Sequence, residues 1–333
     1  MLTPFFLQAC GGGGKSVSME EIPLTAVDSL ANVVGLPTQM VYDDGKLYVV
    51  DMFSEDSLLT VWDIASKEKV LSMGRRGEGP EEYLHIGNVD VAEGTNGRKT
   101  LYLYDPVRQR MNLFDCDSLL AGYRNRRIVN VPEDWKTIVA LRRTNQGYVA
   151  IGKEPENKYV LLSDSMGFVA LAGAYRPKPD ANVPDVIHWM ANFGKMELST
   201  DGKTLVDIIY DASVLTCYDV KVNTLEKQWE YVGKELDYRV EGKHFVNNQV
   251  MGYLSASVGE ENIYALYSGC PDDVDEIAPY GKEIHVFSRK GELLRRFSID
   301  HAAFLLCVDE RSQKAFALCH KPETIIMVYD LSL

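Results

Sequence analysis

The sequence predicts an all-β protein, a six-bladed β-propeller built from four-stranded antiparallel blades. Two observations lead to this fold class. First, an apolar run that ends in a polar residue and is followed at once by a turn recurs six times along the 333 residues. Second, the N-terminal part carries one strand-like run too many and the last unit one too few, which is typical of a propeller ring closed by an N-terminal strand.

The recurring run ends at regular intervals along the chain. Its final residues are Asp63, Asp115, Asp164, Asp219, Ser288 and Asp330. The successive spacings are 52, 49, 55, 69 and 42 residues, close to the roughly 40–50 residues of one four-stranded propeller blade. The longer spacings indicate insertions between strands.

Each complete unit shows the signals of four strands. Two strand-like runs joined by a tight turn precede the recurring motif, as in TQMVYDDG followed by KLYVVD, and Asp-Gly or Asn-Gly marks several of these turns. Such pairs favour hairpins because Gly tolerates the positive φ that the turn requires. A fourth run follows the motif, as in KEKVLSMG, NRRIVNV and ELLRRFSI.

The sixth unit contains only the runs FLLCVDERS, KAFALCH and TIIMVYDL before the chain stops. We expect residues 20–30 (EEIPLTAVDSL) to supply its missing strand, which would remove an exposed sheet edge. Two β-sandwich domains are the alternative. They would also explain alternating short strands, but not six similar units with an extra strand at one end. The resulting domain prediction is one propeller over residues 20–333.

Composition limits the classes of partner. Hydrophobic residues make up 46% and aromatic residues 10% of the chain, which suits a strand-rich globular protein, and the net charge is −13. Such a charge argues against a phosphate-backbone footprint, so nucleic acid is not expected as a partner. No apolar stretch of 18 residues or more occurs that could form a membrane-spanning helix. The protein is expected to be a monomer. No cofactor or metal is assigned.

The first residues, FFLQACGGGGK, are similar to a bacterial lipobox. Leu7 lies three positions before Cys10, and a small residue directly precedes Cys10. In a lipobox the cysteine at this place is lipidated and becomes the mature N-terminus. Only nine residues precede Cys10, fewer than a secretory signal needs, and a start site placed too far downstream would explain this. Residues 1–19 are predicted to be a signal remnant, lipobox and glycine-rich tether. A plain disordered tail is the alternative.

The other cysteines suggest neither a metal site nor a disulfide framework. They are Cys116, Cys217, Cys270, Cys307 and Cys319, with no Cys-x-x-Cys pair among them. All but Cys270 lie in or beside apolar runs, where a buried free thiol is the ordinary state. A bond between Cys307 and Cys319 would require neighbouring strands.

Residues 74–83, GRRGEGPEEY, follow the first unit and carry the one sharp motif of the chain. Together with the six units and the lipobox, this Gly-x-Gly-Pro-x-Glu segment resembles the TolB-like six-bladed propeller lipoproteins of Bacteroidetes. The resemblance covers nearly the whole chain. It implies the propeller fold and an envelope location, and no particular reaction.

The long connections are predicted to lie at one end of the propeller, since they link second to third strands or one unit to the next. Long loops on a rigid scaffold are where binding residues concentrate. The candidate partner-binding residues in these connections are Arg75, Arg76, Glu78, Glu82, Tyr83, Arg108, Arg110, His188, Trp189, Tyr238, Arg239 and Tyr280, with His244 beside them. Arginine and aromatic side chains of this kind recognise carboxylates and sugar rings and are enriched at protein interfaces.

Some of these features also have a purely structural interpretation. The glycines and proline of residues 74–83 would shape a crossover, with a carboxylate such as Glu81 bound to its backbone. The acidic run 272–276 could attract calcium, but it lacks the alternating donors of an EF-type loop and is typical of a solvated loop. No catalytic motif such as Gly-x-Ser-x-Gly or His-Glu-x-x-His occurs.

The sequence therefore favours a non-enzymatic cell-envelope lipoprotein. It would be anchored to the membrane through Cys10 and would bind an envelope protein, peptide or glycan through the long connections. The alternative is a metal-dependent propeller hydrolase resembling the gluconolactonase group, for which Asp51, Asp105 and Asn192 are candidate oxygen ligands.

Overall fold

The computed structural model describes residues 20–30, 33, 35, 37–94, 97–135, 138–152, 154, 156–242, 244–247, 250–270, 280–319 and 323–332, with the backbone alone at 244–247. Within these residues, six four-stranded antiparallel units follow one another along the chain. The predicted propeller arrangement of four-stranded blades is confirmed.

The described chain opens with two short strands, β1 (Glu21–Leu24) and β2 (Asp28–Leu30). The first four units then form separate sheets whose strands pair in chain order. Their strands are β3 (Gln39–Asp43), β4 (Lys46–Val50), β5 (Leu59–Asp63) and β6 (Glu68–Met73); β7 (Asn88–Glu93), β8 (Lys99–Asp105), β9 (Arg110–Asp115) and β10 (Arg126–Asn130); β11 (Ala140–Thr144), β12 (Gly147–Ile151), β13 (Asn157–Leu162) and β14 (Phe168–Ala174); and β15 (Gly194–Leu198), β16 (Thr204–Ile209), β17 (Val214–Val220) and β18 (Leu225–Val232).

The fifth and sixth units share one strand. A hairpin separates them from the fourth unit, and its strands are β19 (Tyr238–Glu241) and β20 (His244–Asn247). The two units then consist of β21 (Tyr253–Val258), β22 (Asn262–Tyr267), β23 (Gly281–Ser288), β24 (Leu293–Asp309), β25 (Lys314–Cys319) and β26 (Ile325–Asp330). β24 is outermost in the fifth unit and innermost in the sixth, so the chain passes between them without a loop.

Helical segments are short and lie in the connections. α1 (Cys116–Leu120) separates β9 from β10, and α2 (Asp185–Ala191) lies between β14 and β15. A single 3-10 turn spans Glu133–Trp135. No helix in the described part of the chain is long and apolar enough to cross a membrane.

The predicted Asp-Gly hairpin turn is present between β3 and β4. Asp44 and Gly45 both have positive φ, 46° and 74°. A two-residue turn of this kind matches the twist of the strands on either side, which explains the preference for Asp-Gly there.

The segment 20–30 does not form the single strand that we expected. β2 pairs antiparallel with β26 and is the fourth strand of the sixth unit. β1 instead pairs in parallel with the outer half of β24, in the fifth unit. The break between the two strands falls at residues 25–27.

Hydrogen bonds between the innermost strands hold neighbouring units together. The Gln39 amide donates to the Val89 carbonyl at 2.9 Å and accepts from its N–H at 2.8 Å. Ser255 exchanges similar bonds with Leu306. The Tyr42 N–H donates to Cys307 Sγ at 3.0 Å, so the sixth unit also contacts the first.

Apolar clusters fill the space between neighbouring units, where each sheet packs face to face on the next. Four of the predicted buried thiols lie in this core and none forms a disulfide among the described residues: Cys116, Cys217, Cys307 and Cys319. Burial raises the pKa of each thiol, so these cysteines behave as small apolar side chains.

Candidate functional site

The two ends of the propeller differ in the length of their connections. At one end, which we call the long-loop face, lie the connections that leave the second and fourth strands of the units, with the largest at 74–87, 175–193 and 233–252. At the other end, the short-turn face, most connections have two to five residues. The exception in the described residues is the segment with α1.

The GRRGEGPEEY segment is clamped onto the second unit by Arg108. Its guanidinium donates from Nη1 to the carbonyl of Glu82 and from Nη2 to the carbonyl of Glu78, both at 3.0 Å. Arg76 Nη2 donates to the Met52 carbonyl at 2.8 Å. The segment is therefore fixed at both ends by arginine side chains that bind backbone oxygens.

A carboxylate organises the turn inside this segment, as expected, but it belongs to Glu82 and not to Glu81. Glu82 Oε2 accepts the N–H of Gly79 at 2.9 Å. A Cβ at Gly77 would lie 2.0 Å from the same oxygen, so only glycine leaves room for the carboxylate. Here the structural interpretation of the motif matches the observed contacts.

Beneath the segment, Asp105 is fully buried between two arginines. Its Oδ1 accepts the N–H of Arg108 at 3.0 Å, and its Oδ2 accepts from Arg108 Nη1 at 3.2 Å and lies 3.5 Å from Arg110 Nε. Tyr83 is also buried, with 1% of its surface exposed. Burial of the Tyr83 ring in the core gives no support to the prediction that it contacts a partner. Arg75, Arg76 and Glu78 remain exposed.

The connection 175–193 is held in a different way. One side of α2 packs against the hairpin connection that follows the fourth unit, in a small cluster of Val183, Ile187, Ala191, Tyr238 and the partly buried Leu236. Apolar burial, and not an arginine clamp, positions this helix.

His188 and Tyr238, both predicted to be accessible, are buried in this contact. His188 Nδ1 lies 2.9 Å from Tyr238 Oη, and the Asn192 amide donates to the His188 carbonyl at 2.9 Å. Burial lowers the pKa of His188, and the nearby Lys178 ammonium lowers it further. These groups form a structural contact between two connections. Because they are buried, the structure gives no support to the prediction that they reach a partner.

The other side of α2 presents apolar side chains to solvent. Val186 and Met190 on the helix are 62% and 39% exposed, and Phe193, two residues after its end, is 41% exposed. Trp189 is partly exposed, its Nε1 donates to the Gly152 carbonyl at 3.1 Å, and its ring centroid lies 5.6 Å from that of Phe193. We call Val186, Trp189, Met190 and Phe193 the α2 stripe, since they follow the i, i+3, i+4, i+7 spacing of one helix side.

The remaining candidate residues lie around this region or outside the described chain. Arg239, on β19, is exposed and pairs with Glu241 at 2.8 Å. Tyr280 is partly buried just before β23. Cys10, the acidic run 272–276 and the side chain of His244 lie outside the described residues.

The three oxygen ligands of the hydrolase alternative are used locally. Asp105 is neutralised by arginines, and Asn192 Oδ1 accepts the Arg176 N–H at 2.9 Å. Asp51 Oδ1 accepts the Phe53 N–H at 2.9 Å. No group of three or more His, Cys, Asp or Glu side chains in the described residues is arranged to hold a metal ion.

The axis of the propeller is filled by charged side chains. Arg142 donates from Nε to Asp90 at 2.6 Å and from Nη1 to Glu197 at 3.0 Å, which joins the innermost strands of three units. Near the long-loop face, Lys195 Nζ of the fourth unit reaches the Thr38 carbonyl of the first at 3.3 Å. Burial lowers the pKa of Lys195 to about 8, against the attraction of Glu197. A cavity of about 80 Å³ remains among the innermost strands, toward the short-turn face.

These features define the class of the protein as a β-propeller whose axis is closed by its own side chains and whose largest connections lie at one end. The sequence profile of the TolB-like 6-blade propeller-like family matches residues 18–311. The chain therefore belongs to this family, and the predicted resemblance is confirmed at that level. The bacterial group remains a prediction. No curated protein matches the chain.

Solved structures of distant sequence share the fold. A putative exported protein from Bacteroides fragilis matches with a TM-score of 0.55 at 10% identity, over 94% of this chain and 95% of that one. The calcium-binding protein regucalcin from Agrobacterium tumefaciens matches with a TM-score of 0.53 at 10% identity, over 93% and 97%. The β-propeller domain of Cps50 (Swd1) from Myceliophteria thermophila matches with a TM-score of 0.52 at 10% identity, over 93% and 100%.

Proposed function

We propose that the protein is a non-enzymatic binding protein of the cell envelope, anchored through Cys10, which holds a protein partner against its long-loop face. The observation that carries this proposal is the α2 stripe. It places exposed valine, methionine and aromatic side chains on a helix that an apolar cluster fixes from its other side.

The composition of the α2 stripe suits a protein partner better than a glycan. Methionine and aromatic side chains are enriched in the cores of protein interfaces, where charged groups are depleted. Around the stripe lie charged residues that would form a polar rim, namely Lys178, Asp185 and Arg239. Phe53 and Val107, 57% and 54% exposed, add apolar surface in other connections of the same face.

The charged axis argues for binding and against hydrolysis. A metal-dependent propeller hydrolase would need acidic and amide oxygens free to converge on a cation. Here the ammonium of Lys195 lies near the axis at the long-loop face, and the candidate ligands Asp105 and Asn192 serve other contacts. A divalent metal would meet like charge at that position.

The direction of β1 supports an outward-facing site. β1 runs parallel to β24, which leaves the short turn at 289–292, so Glu21 is the end of β1 nearer the short-turn face. The nine residues between Cys10 and Glu20 could span at most about 35 Å from one to the other. A lipid on Cys10 would thus hold the short-turn face toward the membrane and leave the α2 stripe pointing away from it.

Site-specific photo-crosslinking in the native host tests the binding surface. The gene is expressed from its own upstream region with a photoreactive phenylalanine at Val186 or Met190, and, as a matched control, at Tyr123, which is 65% exposed in the α1 segment of the short-turn face. We expect the photoreactive residue at either α2 position to give one discrete protein adduct, and Phe193→Asp should remove this adduct. The residue at Tyr123 should give none. Adducts from Tyr123 alone, or none from α2, would overturn the proposal.

Fatty-acid labelling and membrane fractionation test the anchor separately. The wild-type protein should incorporate label and sediment with membranes, while Cys10→Ala should do neither. An unlabelled, soluble wild-type protein would refute the lipoprotein assignment without affecting the crosslinking result.

A further inference from the structure

The outer edge of the fifth unit is covered by the chain's own N-terminal strand. β1 lies parallel to β24 with Glu21 opposite Arg296. Ile22 and Leu24 pack on the apolar cluster between the fifth and sixth units. The pKa of Arg296 is raised by its hydrogen bond with Glu283, and the charge of Glu21 adds to this effect. The molecule thus contains an acidic, apolar strand bound to an arginine-bearing edge.

The outermost strand of the second unit, β10, also carries a pair of arginines followed by an apolar residue. β24 carries Arg-Arg-Phe-Ser at 295–298, and β10 carries Arg-Arg-Ile-Val at 126–129. In each pair one guanidinium already has a partner within the chain, since Arg296 donates to Glu283 and Arg126 donates to the Pro80 carbonyl. The other arginine of β10, Arg127, is exposed.

The outer edge of β10 also offers backbone and apolar surface. In the described part of the chain no strand pairs with this edge. Ile128 is 40% exposed, and Val129 packs partly buried on the cluster between the second and third units. Beside that cluster the rings of Trp135 and Phe168 stack at 5.1 Å, with Phe168 52% exposed. These are the kinds of group that β1 uses on β24.

The outermost strands of the other units lack this combination. β6 begins with Glu68 and Lys69, and β18 mixes lysine with Glu226 and Glu230, while β14 has no charged residue. On a chain with a net charge of −13, an acidic segment would be repelled from most of the surface. The arginine pair of β10 is the place along the described outer edges where it would be attracted.

We propose that the outer edge of β10 binds an acidic, extended segment of another protein as a fifth strand. A carboxylate of that segment lies opposite Arg127, and an apolar side chain packs beside Val129. Backbone hydrogen bonds give the affinity in this mode, and the side chains on either side of the strand give the selectivity. This surface lies at the rim of the second unit, separate from the α2 stripe.

A peptide copied from the chain's own N-terminal strand is a suitable probe. The peptide Met-Glu-Glu-Ile-Pro-Leu-Thr-Ala-Val, residues 19–27, is labelled with a fluorophore and titrated with the full chain. We expect saturable binding that weakens with salt, together with slowed amide hydrogen exchange at residues 126–130.

Three changes separate strand addition from simple charge attraction. Arg127→Glu should weaken binding roughly fivefold or more, as reversal of one exposed ion pair does, while the matched change Lys69→Glu on the outer strand β6 should not. A peptide with both glutamates replaced by lysine should not bind. A peptide methylated on the backbone nitrogen of Ile22 should bind more weakly, because a strand donor is lost.

Several results would overturn the proposal. Slowed exchange at 295–299 alone would show that the peptide only replaces β1. Equal effects of Arg127→Glu and Lys69→Glu, or full binding by the methylated peptide, would show non-specific charge attraction. Self-association of the full chain that Arg127→Glu removes would show that the occupant is a second copy and not another protein.

Discussion

The connections 74–87 and 175–193 lie on the same face of the propeller and are held by opposite means. The first is rich in arginine and glutamate; Arg108 and Glu82 bind it through hydrogen bonds, and the buried Asp105 holds Arg108 in place. The second packs through Ile187, Ala191 and their apolar neighbours. Among the described residues of these two connections, the exposed apolar surface lies chiefly in the second.

This difference shows that a conspicuous sequence motif need not form the surface that is available to a partner. The backbone of the GRRGEGPEEY segment is held by Glu82 within it and by Arg108 outside it, because a loop of glycines without a core needs polar contacts to stay in one conformation. The apolar helix is fixed by one side only, which leaves its other side available. The less distinctive sequence therefore carries the better candidate for partner binding.

The largest effect is expected from the buried ion pair under the first connection. Asp105→Asn leaves Arg110 and Arg108 without their counter-charge, and removing one partner of a buried pair lowers the free energy of unfolding by about 3–5 kcal/mol. Urea unfolding measures this loss. Asp117→Asn in α1, which stays outside the cluster, is the control. A loss of similar size in both variants would contradict the role of Asp105.

A smaller effect is expected when the clamp itself is removed. Arg108→Met deletes two bonds to backbone carbonyls and one to Asp105, worth about 2 kcal/mol together with the carbonyls left unpaired. Limited proteolysis should then cut within 74–87. Arg75→Met, at an exposed position of the same segment, should leave both stability and the cleavage pattern unchanged. Faster cleavage within 175–193 would instead show that the two connections are coupled.

The second connection should respond to pH through His188. Its pKa is lowered in the folded protein from the ordinary 6.5, so the unfolded state binds more protons below that value. The free energy of unfolding should therefore be fully retained above about pH 6.5 and fall as the pH drops from there through the folded pKa.

In the variant His188→Gln the free energy of unfolding should decline less between pH 7 and pH 5. Urea unfolding at each pH measures this decline. In Lys178→Met the pKa of His188 should rise, because a neighbouring positive charge is removed, and a histidine NMR titration measures this directly. A His188 that titrates above 6.5 in the wild-type protein would contradict burial as the dominant influence on its pKa.

The smallest effect on stability is expected on the α2 stripe. Val186→Asp with Met190→Asp should change the free energy of unfolding by about 0.5 kcal/mol or less, as at other exposed positions, and Val186→Asp alone should abolish the adduct formed from the photoreactive residue at Met190. The buried-side change Ile187→Ala should cost about 3 kcal/mol. A double variant as unstable as Ile187→Ala would mean that the stripe packs on the protein itself.

Much of the fold follows from local signals in the sequence. Turns such as Asp44-Gly45 define hairpins by backbone conformation alone, and the recurring third strands give the number of units. The uninterrupted β24 was not predictable, since Leu293–Asp309 has no turn residue to mark where one unit ends. α2 has seven residues, too few for a helical period to stand out. The divided path of β1 and β2 depends on which neighbours their side chains meet.

The sequence predicted which face of the propeller carries the candidate site, but not which residues on that face are available for binding. Connection lengths placed the long loops at one end, but sequence does not reveal which polar groups are already used. Arg108 and Arg76 bind carbonyl oxygens that any residue would present, so no pattern marks them as structural. Tyr83 and Tyr238 are of a residue type common at interfaces, but both are buried in the core. The sequence does not distinguish the exposed side of α2 from its buried side, because apolar residues such as Val186 and Ile187 occur on both.

The parallel pairing of β1 with β24 has a mechanical consequence. Four residue pairs, from Glu21 opposite Arg296 to Leu24 opposite Ile299, connect the two strands. A force applied at residue 20 along the strand axis is shared by all of these hydrogen bonds at once, because they run across the direction of pull. A hairpin strand pulled from its open end would instead break one bond at a time. The N-terminal attachment should therefore resist tension far better than its four residues suggest.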